Sequence, residues 1–464
     1  MNDNENFDNS VDDTDLELSP LVGEETIDWN KRRVTSSFHK AGKRRKGPLQ
    51  LTMILVVVLV FMTLHHHSSA SLQEEESAYP PLKAFTSTHG VDGDSRSQPG
   101  QLRIDWSSVQ PHSQLAKLLT AQRTDCSQPL KWYEPNLLGG LGNELRSYTL
   151  ALCLAHQYQV RLYTPHFTFM DPSLVHEGDP SLLNPFFTTL ELQCPGDVAV
   201  AQQQQQLPYK QLKKQRFDIW KKQIWMRNKD YPCASLLNQL PDYSNLDARA
   251  TSLEAVFTAG LSQAVVEEAQ RQHKRVFSNG VPPAEQLITV HVRWGDKATE
   301  MELVPMQEYI QAVYEIAEQQ GLQPSDTHVF LATEDPKAVE AFNAGADERW
   351  TVYTDQFYYD FLPLRSNETQ DVAAITHDNH GDVGLLAMGS LLVALEANHY
   401  VLTSASNWSR MMNLLRRTVV RAAACEGGFI EPGQPGFVER DCTSAVDLRK
   451  SDFWMEWDKE GNGV

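Results

Sequence analysis

Leu287-Ile-Thr-Val-His-Val-Arg-Trp-Gly-Asp-Lys-Ala-Thr-Glu300 is the stretch whose reading decides the fold. Its first half alternates, with Ile288, Val290 and Val292 pointing one way and Thr289, His291 and Arg293 the other. That alternation predicts a strand that enters a core and stops at a glycine. A polar loop follows, carrying Arg293, Asp296, Lys297 and Glu300. Pro305 then opens a predicted helix, with Met306, Tyr309, Ile310, Val313 and Ile316 at helical spacing and Gly321 closing it. In open α/β sheets ligands sit beyond the carboxyl ends of strands, so charges of both signs at such an end mark a candidate site.

Outward from this strand the pattern repeats. Thr327–Thr333 reads as a second strand ending in Glu334-Asp335-Pro336 and a short helix, and Trp350–Tyr353 as a third. A loop with His377, His380 and Asp382 precedes a helix from Gly384 to about Ala397. Tyr400–Thr403 is the fourth strand, ending in Ser404-Ala-Ser-Asn407 and a helix to about Arg421. Alternating strands and helices predict a parallel, doubly wound sheet. Three polar clusters then fall on one edge: Arg293–Glu300, Thr333–Asp335 and Ser404–Asn407.

Each of these residues has a plain reading beside the functional one. Arg293 suits bidentate contact with a phosphate, with Lys297 as a second positive charge; the alternative is an ion pair with Glu334 or Asp335. Ser404, Ser406 and Asn407 can cap the last helix or bind phosphate oxygens there. Arg410 lies in that helix's first turn, where the dipole disfavours a cation unless an anion is near. His377, His380 and Asp382 read as a polar loop rather than a metal site.

Upstream, Leu137-Leu-Gly-Gly-Leu-Gly-Asn-Glu-Leu-Arg146 leads into a helix ending near Gln157, then a strand from Val160 to Tyr163. Its glycines, Gly140 and Gly142 among them, and Asn143 leave backbone N–H groups available for an anion at a helix N-terminus. No Gly-Lys-Ser/Thr follows, so it is not a Walker loop. Residues 201–229 pass from a Gln run to Lys/Arg-rich sequence with Trp220 and Trp225, read as a solvated amphipathic helix. A further helix is expected over Ala255–Gln272, and Pro282-Pro283 marks a lobe boundary.

The 464 residues carry a net charge of −19. That excludes a nucleic-acid binder, and any anionic ligand needs a local basic pocket. Leu49–Leu64 is the one strongly apolar run, short against a span of about 20 residues. Eight Lys/Arg lie in the 18 positions before it and none in the 18 after, which places the N-terminus in the cytosol. The expected layout is a disordered cytosolic tail (1–48), a transmembrane signal anchor (49–64), a lumenal stem (65–101), an N-terminal lobe (102–281) and a C-terminal lobe (282–464). All six cysteines are then lumenal, where disulfides form. Cys425 and Cys442 are the first expected pair, Cys153 reads as a buried thiol, and Cys126, Cys194 and Cys233 stay unassigned. Two sequons occur, at Asn367 and Asn407.

At these residues the chain resembles the α1,6-fucosyltransferase family and its O-fucosyltransferase relatives. His291-Val-Arg-Trp-Gly-Asp-Lys297 is similar to the family's His-Val-Arg-Arg-Thr-Asp-Lys. Leu331-Ala-Thr-Glu-Asp-Pro336 is similar to Leu-Ala-Thr-Asp-Asp-Pro, and Thr403–Arg410 to Thr-x-Ser-Ser-Gln-x-x-Arg. Gly140–Leu145 matches the Gly-rich start. The family's second Arg is Trp294 here, and the Asp that reads guanine aligns with Ser390, with Asp382 nearby.

The resemblance implies two Rossmann-like lobes of the GT-B type, with GDP-fucose held by the C-terminal lobe and a glycan or glycoprotein acceptor on the other. It implies inverting transfer without a metal, in a single-pass Golgi membrane protein whose catalytic part is lumenal. By the same carry-over His291 and Arg293 hold the diphosphate with Lys297 assisting, while Ser406 and Asn407 contact the nucleotide. Gly140, Gly142, Asn143, Asp296, Glu334, Asp335 and Arg410 complete the expected donor site. Glu300 is the expected base, with Glu302 the alternative, because the charges beside Asp296 hold it ionised. An O-fucosyltransferase-like enzyme and an inactive nucleotide-sugar or glycan binder are the competing readings. A hydrolase lacks a nucleophile motif.

Overall fold

The computed structural model describes residues 98–133, 141–163, 194–205, 245–258, 261–294, 302–356, 382–425 and 442–448. Contacts divide the chain into Met1–Gly90 and Val91–Val464, and every described residue belongs to the second unit. The tail, the anchor run at 49–64 and most of the stem lie outside the described residues, as do Gly140, Asp296, Lys297, Glu300, Asn367, His377 and His380. Among the described residues no helix is long and apolar enough to cross a membrane.

Two parallel sheets organise the rest. The smaller pairs β1 (Leu130–Trp132) with β2 (Arg161–Tyr163), around helices α1 (Gln114–Thr124) and α2 (Leu141–Gln157). Helix α3 (Asp197–Gln205) follows, and Arg161 is bidentate to Asp197 at 2.6 and 2.7 Å. Where one helix was expected over Ala255–Gln272 there are two, α4 (Asn245–Phe257) and α5 (Gln263–Val276). Ser262 starts the second by accepting a hydrogen bond from Val265 N–H, which is why the apolar run does not continue as one rod.

The larger sheet holds β3 (Leu287–Val292), β4 (His328–Thr333), β5 (Thr351–Tyr353), β6 (His399–Leu402) and β7 (Ser444–Asp447), all parallel. Their order is β5-β4-β3-β6-β7, so β3 is central and flanked by β4 and β6, which run out into Glu334 and Thr403. Its six residues are all buried, because a parallel sheet has both faces covered. Ile288, Val290 and Val292 pack with Tyr309, Val313 and Ile316 of α6 (Met306–Gln319). At roughly 1.5–3 kcal/mol per buried aliphatic side chain, that layer anchors the strand. Helix α6 ends in a Schellman turn: Gly321, at φ +67°, donates to Glu318 O and Leu322 N donates to Ala317 O. On the other face Thr289 donates to Ala394 O at the end of α8 (Asp382–Ala394). The polar side of the alternation is therefore buried and satisfied rather than solvated.

Helix α7 (Pro336–Gly345) follows β4, and α9 (Asn407–Leu415) follows β6, widening to a π turn over Arg416–Val420 before α10 (Arg421–Ala424). β7 was not foreseen from the sequence. Half-buried Arg416 donates to Thr443 O and Oγ1 at the strand's start, and Leu448 N donates to Leu402 O at its end.

The segment 98–113 is fastened to the core through its backbone. Gly100 N–H donates to His273 Nδ1 (3.0 Å) and Arg103 N–H to Glu396 Oε2 (2.8 Å). His112 N–H and Ser113 N–H both donate to Glu254 Oε1. Leu102, Ile104 and Trp106 bury beside them.

Cys425 and Cys442 are bonded, as the sequence suggested, and Cys126 pairs with Cys194. Cys153 is no free thiol: it is disulfide-bonded, and no described cysteine is free. A cysteine within an apolar helix looks like packing in sequence, but its bonding partner is set by tertiary approach.

Candidate functional site

Because β4, β3 and β6 are adjacent and parallel, their carboxyl ends place three polar clusters side by side. His291, one residue from the end of β3, is buried, with Nδ1 2.6 Å from Ser409 Oγ in α9. The same Oγ accepts Thr403 N–H at 3.1 Å. Burial, helped by the Arg293 charge, pushes the imidazole pKa down to about 3, so the ring is neutral. One hydroxyl thus links the central strand, the loop after β6 and the helix that follows.

Arg293 is the first residue beyond β3, and its guanidinium meets Glu334 Oε2 at 2.8 Å. That is the ion pair weighed against a ligand role. With the Arg side chain 18% exposed and the Glu 48%, it sits at the rim, where such a pair is worth about 0–1 kcal/mol. An incoming phosphate can displace it cheaply. Asp335, by contrast, is committed: it caps α7 by accepting Lys337 N–H at 2.9 Å, and its own N–H goes to Thr333 Oγ1. Glu334 and Asp335 are adjacent in sequence and differ entirely in availability.

Ser406 caps α9 by accepting Trp408 N–H at 3.3 Å, and Asn407 Oδ1 accepts Arg410 Nη1–H at 3.0 Å. The cation in the first turn, unfavourable towards the helix dipole, is thereby held in place. Ser404 N–H donates to Asp447 Oδ1 of β7, pinning the loop from the far side.

Gly142 ties this edge to the smaller sheet's helix. A Cβ at Gly142 would lie 3.3 Å from Asn407 C and Cβ and from Trp408 N. The first turn of α2 therefore rests directly on the first turn of α9, and only glycine permits that approach without displacement. Two helix N-termini meet there, in the turn that carries Arg410, so their positive dipole ends concentrate in one place. Asn143, also in α2's first turn, is half-buried.

Trp294 has an identifiable job. Its Nε1–H donates to Val304 O at 3.0 Å and its ring packs on the β3–α6 core. It holds together the two ends of the loop that carries Asp296, Lys297 and Glu300. Ser390 is half-buried within α8. Of the expected site residues, the structure joins His291 to α9, Arg293 to Glu334 and Gly142 to Asn407; Gly140, Asp296, Lys297 and Glu300 lie outside the described residues. Ser409, Trp294 as a loop clamp and Asp447 were missed. Ser409 alone left a signal, as the hydroxyl residue two positions past Asn407 on the helix after β6.

Fold and site together define an α/β protein with side chains of both charges at the carboxyl edge of a parallel sheet. No family model matches the chain, and no curated protein does. Among solved structures it is similar to fucosyltransferase NodZ from Bradyrhizobium, at 14% identity over 62% of this chain and 93% of that one, with a TM-score of 0.35. It is also similar to an Arabidopsis thaliana FUT1 variant in complex with GDP (11%, 65% and 71%, TM-score 0.36) and to POFUT1 in complex with GDP (12%, 63% and 96%, TM-score 0.28). At such identities and scores, activity has to be argued from this chain's own residues.

Proposed function

We propose that the chain is an inverting, metal-independent fucosyltransferase of the GT-B type, transferring L-fucose from GDP-fucose to a glycan or glycoprotein. The observation that carries the reading is the meeting of α2 and α9 at Gly142 and Asn407, two residues before the Ser409 that holds His291. With a net charge of −19, a basic pocket for a diphosphate has to be assembled locally by the fold, and the two helix starts with Arg293 and Arg410 support its being here. The diphosphate lies against the two helix starts, with Arg293 exchanging Glu334 for phosphate oxygens and Lys297 adding charge. Ser406 and Asn407 face the nucleotide. Glu300 takes the proton of an acceptor hydroxyl as its oxygen attacks the fucose anomeric carbon. The bond from that carbon to the β-phosphate oxygen breaks on the opposite face, and the electron pair leaves with GDP. A single-pass Golgi membrane protein with this part lumenal is the setting we propose.

A second reading, a nucleotide-sugar binder without turnover, is favoured by Trp294, whose indole is spent on Val304 O where the resembled family has a guanidinium. The two separate in one assay. Release or transfer of fucose from GDP-fucose should persist in EDTA, and Arg293→Ala should lower kcat/KM at least ~10²-fold, the effect of losing one positioned transition-state donor. Glu300→Gln should abolish transfer with GDP affinity retained. A requirement for Mn²⁺, or indifference to Arg293→Ala, contradicts the mechanism; transfer lost in Glu302→Gln instead moves the base to Glu302.

A further inference from the structure

We infer that Ser409 is a positioning residue: its hydroxyl fixes His291 as the Nε2–H tautomer, so that the ring offers a neutral hydrogen-bond donor to a diphosphate oxygen. The diphosphate half of this statement rests on the donor-site reading above; the tautomer half does not.

Serine carries one hydroxyl proton and two lone pairs. Thr403 N–H, which can only donate, already occupies one lone pair of Ser409 Oγ at 3.1 Å. Among the described residues the hydroxyl bonds only Thr403 N–H and His291 Nδ1, so its own proton goes to Nδ1, 2.6 Å away; a proton on Nδ1 would leave that buried O–H without an acceptor. Nδ1 therefore keeps its lone pair, and a neutral ring must carry its proton on Nε2. A helical serine commonly turns its hydroxyl back to the carbonyl four residues earlier. Here the loop amide and the strand histidine hold it instead, and Ser409 is 1% exposed, so the hydroxyl has little freedom to reorient.

The tautomer matters because phosphate oxygens only accept hydrogen bonds. With the proton on Nδ1, Nε2 would turn a lone pair towards them. With it on Nε2, His291 adds a donor without adding charge, and the guanidinium of Arg293 is not opposed by a second cation two residues away. Ser409 is also the hydroxyl residue of the Asn407 sequon, so the group that a glycan-transfer reaction would have to read is already engaged in the fold.

The test uses the purified chain labelled with ¹⁵N-histidine, with each ring's long-range ¹H–¹⁵N correlations assigned through a His291→Gln control. The expected spectrum has His291 protonated at Nε2, with Nδ1 as a hydrogen-bonded acceptor. In Ser409→Ala the Nδ1 resonance should move to that of an unbonded nitrogen and GDP affinity should fall about tenfold, the loss of roughly one hydrogen bond. Ser409→Thr, which keeps the hydroxyl, should restore both. Nδ1 found protonated in the wild type overturns the assignment, as does an Nδ1 resonance unmoved in Ser409→Ala. If the wild type binds no GDP, the donor-site reading fails while the spectrum still decides the tautomer. If Ser409→Ala does not fold, the wild-type spectrum decides alone.

Discussion

Of the three histidines buried among the described residues, His291 and His273 sit in contrasting surroundings. His291 sits at the carboxyl edge of β3 and His273 near the end of α5; burial lowers both pKa values, to about 3 and about 4. Both rings accept at Nδ1, one from the Ser409 hydroxyl and the other from Gly100 N–H. The difference lies in what surrounds the other nitrogen. His273 Nε2 is 3.9 Å from Glu396 Oε2, deep in the core, where it helps hold the segment that begins the folded unit. That approach is not an ion pair, because burial raises the Glu396 pKa to about 7 while the imidazole is neutral. His291 has the Arg293 charge near it and the first turn of α9 against its Nδ1. A buried neutral imidazole is a clip where the chain closes over it; at the sheet edge, on the reading proposed above, it is a donor.

The sharpest way to break this contrast is to exchange each ring for Gln. His291→Gln should cost the larger functional effect, about 10²-fold in kcat/KM measured on folded protein, beside the stability lost with its buried bond to Ser409. His273→Gln should do the reverse: lose about 1–3 kcal/mol of stability, the cost of a disturbed buried hydrogen bond, and keep GDP affinity within about twofold. Equal effects of both variants on turnover would remove the distinction.

A smaller effect sharpens the same contrast through pH. His273 and His291 have folded pKa values below the ordinary histidine value, so their stabilising contribution is present above about pH 6.5 and is lost as pH falls through about 4 and about 3. Glu396 has the opposite sign. Its folded pKa lies above the ordinary value of 4.5, so its contribution is present below that and is lost as pH rises through about 7. Glu396→Gln should therefore gain stability relative to wild type between pH 5 and pH 8, on the order of 2 kcal/mol. Urea midpoints of the two proteins across that range measure it. A difference independent of pH would mean that Glu396 is ionised in the fold throughout.

Much of the larger sheet was legible in the sequence because its strands alternate with helices and each ends in a recognisable polar cluster. The alternation of Ile288, Val290 and Val292 gave the strand, and Pro305 and Gly321 gave the limits of its helix. Adjacency of the clusters followed from parallel topology, and the Arg293–Glu334 and His291–Ser409 contacts realise it. What stayed hidden depends on distance in space. Ser444–Asp447 is too short and too mixed to announce a strand, and becomes one because Arg416 and Leu402 receive its ends. Gly142 read as part of a glycine cluster; that its missing Cβ is filled by Asn407, 265 positions later in the numbering of the chain, has no local signature. The clips on Gly100, Arg103 and Ser113 use backbone amides, which every sequence has.

The central claim is that the edge formed by α2, α9, His291 and Arg293 is a seat for a diphosphate, and it can be tested without any variant. Calorimetric titration of the purified chain in EDTA should show GDP binding at least ~10² times more tightly than guanosine, since two or more charge-assisted hydrogen bonds are lost with the diphosphate. GDP binding no tighter than guanosine, or measurable only after a divalent metal is added, would contradict the account.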